Sequence, residues 1–350
     1  MSPYFINFVP EGFSSYSGLN PLVVALQGKT VAFGARWKSI QRQSWTVGNW
    51  IRQWGIRHYG CTWNSLLPYV DEYFFLQKLP SAETIYPVHF LWGEFGAPKQ
   101  VRPYHRKGAR VVVSVHCSAR RWNSVWLRPD GFAQADQVVL MSESQRPFVS
   151  PWVSPERLTV IPHGICTDFF RPLPERPAKE KLVLFLLGNT ERDHVRAARI
   201  ARLLPPERFE WRIRMESHEK TVYEGIPCVR LLPRLTEAEF LREYQTADLL
   251  CMPMLDSAAN NVLLESMACG TPVMVNRVGG VPEYVAEDGN IVMDDSSSPE
   301  EWAARLHHLA DHREELERMR PLTRTWAERF DWARVADRYR RMYHHLLERG

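Results

Sequence analysis

Residues 260–285, "NNVLLESMACGTPVMVNRVGGVPEYV", read as a helix, a strand and the start of a second helix, compressed around glycine turns. The spacing predicts a helix over Val262 to Cys269, with Asn260 or Asn261 as its capping side chain and Gly270 at its C-cap. One acid, Glu265, stands in the middle of that apolar run. Gly279 and Gly280 let the backbone approach a ligand closely, and Pro282 suits the first turn of the next helix. Helix starts expose unpaired N–H groups and the positive end of a dipole, so two such elements after adjacent strands could hold a diphosphate.

Outward from this stretch, short apolar runs alternate with helix-length segments, the order that builds parallel sheets. They are residues 30–35, 84–92, 109–116 and 136–142 in the first half, and 181–188, 210–215, 248–253 and 272–276 in the second. Between the halves, "RPLPERPAKE" (171–180) has three prolines and no apolar periodicity, and reads as a linker. Two domains are expected from a length of 350 residues. Open α/β sheets bind ligands beyond the carboxyl ends of their strands, which places the expected site in a cleft between the domains. Near the end, Trp332, Val335, Tyr339, Tyr343 and Leu346 recur at helical spacing, so an amphipathic helix must dock there.

Six cysteines (61, 117, 166, 228, 251, 269) form no CxxC pair and have no histidine at zinc spacing. This fits a reducing compartment and argues against a disulfide framework or a metal site. There is no basic leader followed by an apolar stretch, and no window reaches the roughly 18 apolar residues of a membrane span, so a cytoplasmic protein is expected. The net charge of +4 is uneven: residues 1–150 carry 16 Lys and Arg against 8 Asp and Glu, and the remainder 28 against 32. The first half therefore favours an anionic partner. Eight of the thirteen tryptophans (37, 45, 50, 54, 63, 92, 122, 126) lie there too, interleaved with arginines over 36–60. They either pack the core or form a surface for an anionic membrane or a lipid-linked or anionic acceptor.

The 260–285 stretch resembles the donor-site signature of the retaining glycosyltransferases of GT-B fold: an acid, seven residues, Glu, then Ala-Met-Ala-x-Gly-x-Pro-Val and Gly-Gly-x-Pro-Glu. Residues 135–149, 157–172, 231–253 and 330–343 agree in order and spacing, so the resemblance covers about 109 to 345. It implies two Rossmann-like doubly wound α/β domains facing across a cleft: 1–170 for the acceptor, 171–330 for the donor, and a C-terminal helix, 331–350, packing back toward the first. The implied activity moves a sugar from a UDP- or GDP-linked donor to a glycan, lipid-linked or small-molecule hydroxyl, with retention of configuration. Neither cofactor nor metal is implied, nor a nucleic-acid partner, and the implied location is cytoplasmic, at the inner face of a membrane if the Trp/Arg surface binds one.

Carried over by position, Glu265 resembles the glutamate that accepts from the nucleotide ribose hydroxyls, a task suited to a carboxylate. Ala259, Asn260, Asn261 and Val262 fall where backbone amides face the diphosphate and sugar, and Arg234 and Leu235 fall on the loop along the nucleobase. His116, closing the 109–116 run, resembles the histidine beside donor sugar and acceptor. Gly18, in "SSYSGLN", resembles the opening loop of the first domain, and a plain turn is the competing reading. Two departures stand out. The first acid of the signature falls on Ser257, with Asp256 one position early, which leaves the donor sugar open. The Arg and Lys expected after Gly188 fall on Asn189 and His194. Arg192 is then the expected cation for the departing diphosphate, with Arg196 next. A protein that keeps the donor pocket and has lost turnover is the alternative.

Overall fold

The computed structural model describes residues 3–6, 16, 18–30, 53, 57, 76–80, 85–94, 100–125, 130–215 and 218–349. Its contacts divide the chain into two units, one of residues 1–162 with 333–350, the other of residues 163–332. Of the eight tryptophans of the first 150 residues, those at 37, 45, 50, 54, 63 and 126 lie outside the described residues, as does Cys61.

The first unit holds one parallel sheet. Its strands are β1 (Tyr4–Ile6), β2 (Lys29–Thr30), β3 (Tyr86–Phe90), β4 (Ala109–Val115), β5 (Gln137–Leu140) and β6 (Leu158–Val160), in the order β2-β1-β3-β4-β5-β6. Every residue of β3 and β5 is buried, as a strand covered on both faces requires. Val88, Val111, Val113, Val138 and Leu140 form the centre of the core.

The second unit repeats the plan. Strands β7 (Leu182–Leu187), β8 (Phe209–Arg214), β9 (Val229–Leu231), β10 (Leu249–Cys251), β11 (Val273–Asn276) and β12 (Ile291–Met293) are all parallel, in the order β12-β11-β10-β7-β8-β9. The longer helices are α1 (His194–Ala201), α2 (Glu237–Thr246), α3 (Asn261–Ala268), α4 (Pro299–Asp311), α5 (Arg313–Ala327) and α6 (Trp332–Glu348). The chain fills one side of β7 with β8 and β9, then crosses to β10 and continues outward to β12. Strand order reverses between β7 and β10, and the loops leaving those two strands part there, which is where open α/β sheets form a crevice.

Both expected helices of the 260–285 stretch form. α3 begins at Asn261, with Asn260 as its cap, and Gly270 follows its end at φ +68°. The second is a single turn, Val281–Tyr284, with Pro282 inside it. The 171–180 segment lies within the second unit, tied to it by Arg176 and Lys179 on Asp248.

α6 starts in the second unit with Trp332, whose ring fills the space that a side chain at Gly164 would need, and from Ala333 it belongs to the first. Its predicted apolar positions Trp332, Val335, Tyr339, Tyr343 and Leu346 are all buried. Tyr343 Oη lies 2.6 Å from Nδ1 of His89 on β3, and Nε2 of that ring lies 2.8 Å from Ser114 Oγ on β4. This polar cluster fixes the helix on the sheet where apolar packing alone would leave its register free. Burial, with His116 nearby, pushes His89 down to about 3. Among the described residues no helix is long and apolar enough to cross a membrane.

Candidate functional site

The loop leaving β7 turns through Gly188 at φ +95° and Glu191 at φ +59° before Asp193 caps α1. Arg192 folds back along it. Its Nε donates to Leu187 O at 3.0 Å, Nη1 to Thr190 O at 2.6 Å and Nη2 to Asn260 Oδ1 at 3.3 Å. A Cβ at Gly188 would stand 3.2 Å from the guanidinium, so the glycine is needed for conformation and for room. Burial pushes Arg192 down to about 10 against the pull of Tyr244 and Glu265, so it stays cationic near neutral pH. The loop is also clamped to the one leaving β10, since Asp193 N donates to Pro253 O and Leu255 N to Glu191 O, both at 2.9 Å.

His194, at the position where the resemblance expects a lysine, is buried. Its Nε2–H donates to Gly188 O at 3.0 Å and its Nδ1 lies 2.8 Å from Tyr223 Oη. It braces the glycine turn. Arg196 pairs with Asp193 at 3.4 Å and Asp295 at 3.5 Å, both carboxylates of its own surroundings.

Across the crevice, Asn260 Oδ1 accepts from Val262 N at 3.0 Å and so caps α3 while also receiving Arg192. One side chain thereby joins the two loops at the sheet's reversal point. One turn further in, Glu265 is 6% exposed and its Oε2 accepts from Tyr244 Oη at 2.5 Å. Burial first, then the Glu265 charge, hold the Tyr244 phenol well above its usual range, so it stays protonated and donating. The acid is therefore held by a partner on α2, 21 residues earlier, and is no solvated helix acid.

Asp256 and Ser257 are both buried, and Asp256 Oδ1 accepts from Ser257 N at 2.7 Å. Against them sits the turn at Gly279, φ +48°, where a Cβ would fall 2.2 Å from Ser257 O and 2.3 Å from Asp256 Oδ1. The close approach for which the sequence calls on these glycines is thus an approach to the chain's own 256–257 loop. Asn276, at the end of β11, completes the support by accepting from Met254 N at 2.7 Å and donating to Met254 O at 2.8 Å. Ala259 is half-buried on the same loop. Arg234 is exposed, and Leu235 packs on the core just before Thr236 caps α2.

The structure thus brings Gly188, Arg192, Asn260, Val262 and Glu265 together where the loops leaving β7 and β10 meet the start of α3 at Asn261, with Asp256 and Ser257 on the second of those loops. Gly18 and His116 belong to the first unit. Gly18 has φ +74° and open space at its Cα. His116 follows β4; its Nε2–H donates to Leu91 O at 2.8 Å and its ring stacks on Trp92 at 4.1 Å. That carbonyl fixes the tautomer, which makes Nδ1 the acceptor of the neutral ring. Beneath lies Glu94, fully buried, whose Oε1 accepts from the amides of His116 and Cys117 at 2.5 and 2.7 Å. Burial raises its carboxyl pKa and the two amides work against that rise. Sequence reading missed Glu94 and Tyr244, because each acts on a residue more than twenty positions away; Tyr244 lies within the 231–253 segment that matches the signature, but its contact with Glu265 is not local. Among the described residues no group of His, Cys, Asp and Glu could hold a metal ion.

Residues 182–312 match the family model of the glycosyl transferases group 1. The D-inositol 3-phosphate glycosyltransferase of Thermobispora bispora is 31% identical over 224 residues, 56% of this chain and 52% of that protein. Its counterpart in Segniliparus rotundus is 26% identical over 242 residues, 62% and 54% of the two. The chain spans about half the length of the curated relatives it matches. Among solved structures, Anabaena HepE in complex with UDP superposes with a TM-score of 0.67 at 14% identity, over 98% of this chain and 99% of that one. A glycosyltransferase from Rickettsia africae gives 0.64 at 10% identity, over 100% and 91%. These likenesses concern the fold, two parallel six-stranded sheets with helices, as in GT-B glycosyltransferases. Within that fold, residues 182–312 are the part that resembles the glycosyl transferases group 1.

Proposed function

We propose that the chain is a retaining glycosyltransferase that binds a nucleoside diphosphate sugar at the reversal point of its second sheet. The observation that carries the reading is Asn260, which caps α3 and receives Arg192 from the opposite loop. A helix start and a guanidinium then flank the same crevice, and both favour a diphosphate. Glu265, kept from rotating by Tyr244, is the acceptor for the ribose hydroxyls. During transfer the leaving diphosphate gains negative charge, which Arg192 and the α3 dipole stabilise more in the transition state than in the ground state. On the first unit, His116 is the residue that the resemblance assigns to the donor sugar. The curated relatives are named for D-inositol 3-phosphate, a phosphorylated polyol, and an anionic acceptor of that kind suits the +8 charge of residues 1–150.

The test is thermal stabilisation by UDP, GDP and their sugars, followed by release of nucleoside diphosphate with a panel of phosphorylated and neutral polyols. Anomeric assignment of the product by NMR then decides retention. No stabilisation by any of these nucleotides would overturn the reading. A second reading, a nucleotide-sugar-binding protein without turnover, is favoured by Ser257 at the acid's place and by His194, engaged as a brace where a free lysine is expected. Stabilisation without release by any acceptor would support it.

A further inference from the structure

The second unit has another polar hollow, at the opposite edge of its sheet. Leu182 opens β7 and Asp248 immediately precedes β10, so both mark the amino ends of strands, whereas Gly188, Ser257 and Gly279 follow carboxyl ends. A cavity of about 590 Å³ there is lined by Arg176, Lys179, Arg313, Arg320, Asp248 and Glu317. Four cations thus face two carboxylates. Asp248 is shared, with Lys179 at 2.6 Å, Arg320 at 3.5 Å and Arg176 at 3.8 Å, and it also accepts from Val183 N. Glu317 serves Arg320 at 2.9 Å.

The remaining bonds go to neutral oxygens. Arg313 donates to the carbonyls of Lys179 and Glu180 at 2.6 Å each, and Arg176 to Ala247 O and Thr271 Oγ1. A carbonyl satisfies a hydrogen bond and carries no compensating charge. Guanidinium groups have five N–H donors, so Arg176 and Arg313 each keep donors beyond those placed on the protein. Burial first, then the neighbouring Arg320, push Arg176 down to about 10 against the pull of Asp248 and Glu317; burial lowers Lys179 too, against the stronger pull of Asp248, with Arg176 and Arg320 adding smaller downward shares. Cations crowded in this way repel one another, and an entering anion relieves that repulsion.

We propose that this cavity is a binding site for a phosphate-bearing anion, separate from the nucleotide end of the sheet. Its volume falls in the range of about 300–1,000 Å³ usual for small-ligand sites and exceeds what a bare phosphate fills, so a phosphate ester fits as well as the free ion. Guanidinium forks suit phosphate oxygens in pairs, and the excess of two positive charges matches a dianion.

The experiment melts the full chain in rising inorganic phosphate, and separately in a hexose 6-phosphate, against sodium chloride of equal ionic strength. Each series is repeated with whichever of UDP or GDP stabilises the chain, at saturation. A saturable rise in Tm with either probe, additional to the nucleotide's, is expected, and the tighter of the two identifies ester or free ion as the occupant. Glu317→Gln should tighten the apparent Kd about tenfold and Arg313→Gln should weaken it about tenfold, with nucleotide stabilisation unchanged in both. Chloride reproducing the effect, nucleotide abolishing it, or the same Kd in wild type and Glu317→Gln would each overturn the proposal. If neither nucleotide acts, the donor reading fails by itself and the phosphate series still decides the cavity.

Discussion

At Glu265 a single carboxylate serves two ends. Its contact with Tyr244 places it in a core where the phenol would otherwise lack an acceptor, and the proposed ribose contact makes use of the position so obtained. Glu265→Ala should therefore weaken nucleotide binding by about 2 to 4 kcal/mol and also cost stability of about 1 to 3 kcal/mol. Tyr244→Phe separates the two effects, because it keeps the carboxylate; calorimetric titration of both variants with UDP and GDP checks this. Arg192→Ala should lower kcat more than donor affinity, since the charge it meets develops on departure of the diphosphate. Equal losses in both would assign its effect to uniform binding. Glu265 and Arg192 stand out in the sequence because a motif and a missing cation point to them. Glu94 and Tyr244 do not, since nothing local marks a buried side chain whose partner is remote in sequence.

Among the elements, the long apolar runs were legible and the short edge strands were not. β7, "LVLFLL", is apolar throughout because both its faces are covered. The three-residue strands β6, β9 and β12 lie toward or at the sheet edges, half-exposed, and are too short to show a period. Turns were legible in place and less so in purpose. Gly279→Ala would put a methyl against Ser257 O and Asp256 Oδ1 at a positive φ. The expected cost is about 1 to 3 kcal/mol, with weakened nucleotide binding as the 256–260 loop shifts, measurable by urea denaturation and titration.

The β3–β4–α6 cluster predicts a pH effect. His89 titrates at about 3 when folded and near 6.5 when unfolded. Below pH 6.5 the unfolded chain takes up a proton that the folded chain refuses. Stability of the first unit is then level above about pH 6.5 and falls by up to about 1.4 kcal/mol per unit as pH drops toward 3. Hydrogen exchange of the β3 and β4 amides should follow this slope, and His89→Gln, which does not titrate, should flatten it.

For the whole molecule, the family match, the reversal point and the donor-site candidates all fall inside one uninterrupted unit, residues 163–332. That fragment should fold without the rest and bind UDP or GDP as tightly as the full chain, read by calorimetry; a fragment that fails to bind although folded would remove the donor site from this sheet alone. The two-domain plan was legible because parallel strands announce themselves by alternation with helices. The return of the last helix to the first unit was not legible from periodicity, which shows that a face must be covered and not by what. This return also sets an order of events on the ribosome. The second unit is complete in sequence once Trp332 has been added, while the first still waits for Tyr339, Tyr343 and Leu346 to cover β3 and β4. The half of the protein that is made first is therefore finished last, and a chain that ends at residue 332 holds every residue of the second unit together with a sheet whose buried histidine has no tyrosine to meet.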